Sequence, residues 1–78
     1  MACFYCRNPI NRLVQPRVHA CIKRHCQGGG EDRRERDFHI SCFDKFLEFG
    51  RPRNPDTEYS VVWATEMIGG EEIREVAI

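Results

Sequence analysis

From Arg17 to Lys23 the apolar residues Val18, Ala20 and Ile22 alternate with Arg17, His19, Cys21 and Lys23. A period of two suits a strand with one buried face, so this stretch predicts a half-buried β-strand. Leu13 and Val14 begin its expected partner, and Pro16, which lacks an amide hydrogen, confines that partner to an edge or a bend. Between residues 40 and 49 the period changes, and Ile40, Phe43, Phe46, Leu47 and Phe49 recur at helical spacing. Ser41 and Asp44 stand in the Ser-x-x-Asp arrangement that caps a helix start, while Gly50 followed by Pro52 supplies the stop. The aromatic stripe of this short helix is expected to be core rather than a platform for stacking bases. After a turn-rich linker, Arg51-Pro52-Arg53-Asn54-Pro55-Asp56, the residues Tyr59, Val61 and Trp63 alternate with Ser60, Val62 and Ala64 in a strand that runs to Met67. A Gly69-Gly70 turn would return the chain through Ile73, Val76 and Ile78 as a terminal hairpin, with a final helix over 71–77 as the alternative.

One stretch shows neither period. Gly28-Gly29-Gly30 followed by Glu31-Asp32-Arg33-Arg34-Glu35-Arg36-Asp37 has no apolar residue to bury and is expected as an exposed mobile loop. Such a loop is either a solvated connector or a basic contact surface carrying Arg33, Arg34 and Arg36.

The chain has 78 residues, room for a single domain. A domain of that size buries too little apolar surface to offset a backbone entropy loss of roughly 1–2 kcal/mol per residue. A staple is therefore expected: disulfides, a metal or oligomerisation. The cysteines number five, an odd count, and Met1-Ala2-Cys3-Phe4-Tyr5-Cys6 shows no charged-then-apolar leader. Those features favour an intracellular chain over a disulfide framework. No stretch approaches the ~20 apolar residues of a membrane span.

The metal is the staple that the spacing supports. A structural zinc site takes four ligands in a tetrahedron, drawn from thiolate sulfur and imidazole nitrogen and usually presented as two close pairs. Cys3-x2-Cys6 is one pair and His39-x2-Cys42 the other, with thirty-two residues between them. The second pair falls at the N-terminus of the expected helix, where the positive end of the dipole favours a thiolate. A knuckle, a β-hairpin and a helix N-terminus around one ion make a treble clef. The fold class expected is thus a small α+β domain: residues 1–50 as a zinc-binding module, residues 51–78 as linker and acidic β extension ending in the hairpin.

His19, Cys21, His25 and Cys26 are four more ligands within eight residues. They leave open a second zinc ion, or a first site in which Cys26 replaces His39. The simpler expectation is one ion, with Cys21 and Cys26 as small core residues and the two histidines at the surface.

Two likenesses follow from these residues. Cys3-x2-Cys6-Arg7-Asn8-Pro9-Ile10, with Phe38-His39-Ile40-Ser41-Cys42-Phe43 later, resembles the poly(ADP-ribose) polymerase-type zinc finger over residues 3–46. That resemblance implies one zinc held by the four ligands just named, with Ile10 and Phe43 as core contacts. The first finger of a LIM domain is similar too, but a LIM domain continues with another cysteine pair; here Lys45 stands at its start and no cysteine follows Cys42.

Charge supplies the functional expectation. Residues 1–53 hold eleven Lys+Arg against six Asp+Glu, a balance of +5, and residues 54–78 hold Arg74 against six acids, a balance of −5. A basic module with an acidic tail suits an anionic partner, or two segments that attract one another. Arg7, Arg12, Arg17, Arg24, Arg33, Arg34 and Arg36, with Arg51 and Arg53 beyond, are the candidate nucleic-acid contacts. The alternative partner is a larger protein that meets the hairpin around Tyr59, Val61 and Trp63, or the acidic end. Catalysis is not expected, nor is a small-molecule substrate. A catalytic zinc keeps an open position, whereas a site with three thiolates is electron-rich and closed. Cys21 beside His19 and His25 offers a nucleophile and a base, but nothing implies an oxyanion hole.

Overall fold

A computed structural model of the chain describes residues 1–11, 13–25, 28–50 and 58–77. Arg12, Cys26, Ile78 and the linker with Arg51, Pro52 and Arg53 lie outside the described residues. The elements run β1 (Arg17–His25), β2 (Glu31–His39), α1 (Ile40–Phe49), β3 (Tyr59–Ile68) and β4 (Glu71–Glu75). The strands form one antiparallel sheet in the order β2-β1-β3-β4, a small α+β architecture with one helix.

The alternation in β1 works as expected. Val18, Ala20 and Ile22 are buried, and the register sets Val18 opposite Phe38 and Ala20 opposite Ala64, so three strands present apolar side chains to one face. Against that face α1 lays Cys42, Phe43 and Phe46. Three phenylalanines anchor the core: Phe38 lies 5.2 Å from Phe43 and 5.1 Å from Phe46, and the half-buried Phe4 adds edge contacts to Phe38, Phe46 and Tyr59. Each fully buried ring contributes on the order of 1.5–3 kcal/mol. Ile40, Leu47 and Phe49 complete the helical stripe in sequence, yet they are exposed.

Residues 31–37 are not a loop. They belong to β2, which pairs with β1 along its whole length from Arg17↔His39 to His25↔Glu31. An edge strand needs one neighbour and no buried face, and here polar contacts across the pair replace apolar ones: the ion pairs Lys23 to Glu31 at 3.6 Å and Arg24 to Asp32 at 3.6 Å, and the hydrogen bond between His19 and Asp37 at 2.9 Å. The charged row also deters edge-to-edge association. Gly28 and Gly29, with φ of 93° and 89°, take left-handed conformations that side chains resist, and so permit the reversal.

Leu13 and Val14 do not partner β1. They sit in a turn organised by Asn11, whose carbonyl oxygen accepts from the Val14 and Gln15 amides and whose side chain accepts from Leu13, and both apolar side chains are exposed. Nor do Ser41 and Asp44 cap α1. The strand runs directly into the helix, so His39 is the N-cap, with no side-chain cap, and Ser41 is already helical. At the other end Gly50 adopts φ 68° and its amide donates to the Phe46 carbonyl, the stop that the sequence promised.

The terminal hairpin is present, and β4 is a strand rather than a helix. It turns through Gly69 and Gly70 and ends at Glu75. β3 pairs with β1 from Arg17↔Met67 to Arg24↔Tyr59, so the C-terminal residues complete the same sheet that the N-terminal module begins. No helix among the described residues is long and apolar enough to cross a membrane.

Candidate metal centre

Cys3 and Cys6 come from a turn closed by its own backbone. Cys3 donates to the Asn8 carbonyl at 3.0 Å, Arg7 to the Cys3 carbonyl at 2.9 Å, and Ile10 to the Met1 carbonyl at 2.8 Å, while Ala2 and Pro9 form an isolated bridge. Arg7 takes φ 64°, the left-handed residue that lets the turn close. The Phe4 amide donates to the Asp37 carbonyl at 2.8 Å, which fastens this knuckle to β2. His39 ends β2 and Cys42 lies in the first turn of α1, so the strand-to-helix junction aims the second pair at the first.

One ligand atom from each of Cys3, Cys6, His39 and Cys42 lies within 4.8 Å of all the others. His39 Nδ1 is 3.3 Å from Cys6 Sγ and 3.8 Å from Cys42 Sγ. Metal–sulfur bonds of ~2.3 Å and metal–nitrogen bonds of ~2.0 Å give a tetrahedron with edges of about 3.5–3.8 Å. The two separations from His39 Nδ1 are already close to that spacing. On its far side His39 Nε2 donates to the Pro9 carbonyl at 3.3 Å, leaving the Nδ1 lone pair directed at the sulfurs. Sequence reasoning missed Pro9 because a backbone acceptor leaves no side-chain signature.

The thiols are ill at ease without a cation. Burial pushes the Cys3 thiol up, but hydrogen bonds from the backbone of Cys6, His39 and Tyr5, together with the Cys6 side chain, bring it down to about 7. Cys42 is driven up to about 12 by burial, by its hydrogen bonds with Cys6 and Cys3, and by their charge. One anion is welcome in this space and further ones repel it. A divalent ion removes that conflict and fits the donor set, because soft thiolates with an imidazole suit zinc.

The other expected ligands are placed differently. Among the described residues, Cys3, Cys6, His39 and Cys42 are the one group of three or more metal-ligating side chains brought together. His19 turns Nδ1 to Asp37 at 2.9 Å and Nε2 to Glu35 at 3.3 Å, and His25 contacts the Ser60 hydroxyl at 3.1 Å. Cys21 is half-buried. Cys26 is outside the described residues, and it is His39 that stands beside Cys6.

The arginines separate into different roles. Arg17 is 6 % exposed and donates to Asp37 at 3.2 Å and to the Gly69 carbonyl at 2.9 Å, joining β1, β2 and the β3–β4 turn. Arg33 faces Glu31 at 3.8 Å on one side of the sheet. Arg24, Arg34 and Arg36 share the other side, and Arg7 is exposed on the knuckle. With this arrangement described, no family model, curated protein or solved structure matches the chain, and the likeness of residues 3–46 to the zinc fingers named above rests on the four ligands and their neighbours alone.

Proposed function

We propose that this chain is a non-enzymatic zinc-binding module of the treble-clef type, one structural ion per chain, that binds nucleic acid through its basic N-terminal part. The observation that carries the metal reading is the convergence of four ligand atoms within 4.8 Å from a knuckle and a strand-to-helix junction. Three thiolates and an imidazole fill a tetrahedron and leave no position for substrate, which argues for a structural rather than a catalytic ion. Such a cluster needs reduced thiols, which favours an intracellular setting. The nucleic-acid reading is supported by the +5 balance of residues 1–53.

A protein partner is the second reading. It is favoured by Val62, Trp63, Ile68 and Ile73, which the β3–β4 hairpin leaves exposed. Native mass spectrometry tests the metal: one zinc per chain is expected, and its absence from protein purified without chelator refutes the module. A gel shift at low salt then separates the partners, since retarded oligonucleotide favours nucleic acid and an unretarded one at micromolar protein favours the hairpin surface.

A further inference from the structure

The helix covers only part of the apolar face of the sheet. Toward the β1–β2 turn the face continues as a cleft of about 50 Å³, walled by Phe4, Ile22 and Tyr59. The register sets Arg24 opposite Asp32, Ile22 opposite Arg34 and Ala20 opposite Arg36, so the pleat brings all three guanidinium groups to this side. Against three positive charges the cleft has one carboxylate among the described residues, Asp32, which takes 3.6 Å and 3.3 Å contacts from Arg24 and Arg34 and so orients both. Arg36 has no carboxylate within ion-pair distance among the described residues. Its guanidinium instead rests 5.2 Å from the centre of the Phe4 ring. Phe4 is held in turn by the hydrogen bond its backbone N–H donates to the Asp37 carbonyl and by Phe38, Phe46 and Tyr59.

We infer that this cleft is a phosphate seat, formed by Arg24, Arg34 and Arg36 above an aromatic wall. The guanidinium fork pairs two N–H donors with two phosphate oxygens, and a positive charge stacked on a ring loses little freedom on binding. The space accepts a phosphate group and not a nucleoside, so the remainder of the ligand lies outside, along the β1–β2 hairpin. The phosphate belongs either to a nucleic-acid strand, in which case the seat rests on the nucleic-acid reading above, or to a free nucleotide.

The test uses the zinc-loaded full chain. Side-chain N–H resonances of the three arginines are followed during titration with inorganic phosphate, adenosine monophosphate and a single-stranded oligonucleotide. All three titrants are expected to move them. One seated phosphate predicts that the seat's share of oligonucleotide affinity falls about two- to three-fold between about 50 and 200 mM salt. Arg34→Gln and Arg36→Gln are each expected to weaken binding about five- to ten-fold with the melting curve retained, and Arg74→Gln, on β4 at the other edge of the sheet, to leave it unchanged. Arginine resonances unmoved by phosphate, or an oligonucleotide bound equally well by Arg36→Gln, overturn the seat; in the second case the nucleic-acid reading survives. Shifts with phosphate and the mononucleotide but no oligonucleotide binding keep the seat and remove the nucleic-acid reading.

Discussion

The His39 ring is held from behind by Pro9: Nε2 lies 3.3 Å from the Pro9 carbonyl oxygen while Nδ1 points at Cys6 and Cys42. A carbonyl only accepts, so Nε2 carries the proton and Nδ1 is the nitrogen left free to bind a metal. Long-range nitrogen–proton spectra of the zinc form should show the Nε2-protonated tautomer. A protonated Nδ1 would disprove the ligand assignment.

Removing the metal should unfold the chain. Binding supplies on the order of 10–16 kcal/mol of apparent free energy in small structural zinc sites, more than a core of this size can replace. Excess chelator is expected to abolish the strand signal in circular dichroism and the cooperative melt, and zinc to restore both. Cys42→Ala should behave like the chelated protein, whereas Cys21→Ala should still bind one zinc and melt cooperatively. Unchanged melting after complete metal removal would show that the aromatic core suffices alone.

Zinc binding should release protons in a pH-dependent way. Cys3, lowered to about 7 from its ordinary 9.0, adds stability to the metal-free fold that is complete above pH 9 and disappears as pH falls through 7. Cys42, raised to about 12, acts in the opposite sense: its contribution is complete below pH 9 and disappears as pH climbs toward 12. Metal requires both as thiolates. Because the metal-free chain is expected to be unfolded, with both thiols at their ordinary 9.0, the two should together surrender about two protons per ion at pH 7, falling toward one at pH 9. Apparent zinc affinity should accordingly rise with pH. Calorimetry in buffers of different ionisation heat measures the protons, and a release near zero at pH 7 would exclude thiolate ligation.

Much of this was legible in the sequence because local pattern and tertiary structure agree. The alternation in 17–23, the helical stripe of 40–49, the Gly69-Gly70 turn and the two ligand pairs each specify one local geometry. β2 was hidden because its stability is relational. Residues 31–37 bury nothing, and only when folded about Gly28 onto β1 do Glu31, Asp32 and Asp37 meet Lys23, Arg24 and His19. A search for complementary charge across a glycine turn would have found it. The same hidden strand determines which arginines converge, so the list of candidate contacts could be written from the sequence, but not its division into buried Arg17, outlying Arg33 and the cluster of Arg24, Arg34 and Arg36.

Two phenylalanines separate core from stripe. Phe38 is fully buried, touching Phe43, Phe46 and Phe4, and it precedes His39, so its packing sets where the strand delivers the imidazole. Phe38→Ala should cost about 3–5 kcal/mol, a large part of the 5–15 kcal/mol typical of a whole domain. Phe49, 67 % exposed at the end of α1, has little to lose, and Phe49→Ala should stay within about 0.5 kcal/mol of the parent. Denaturant melts of the zinc-saturated proteins measure the difference. Equal destabilisation by the two would mean that the helix packs by a different face, and the Cys42 thiol would then turn away from the other three ligands.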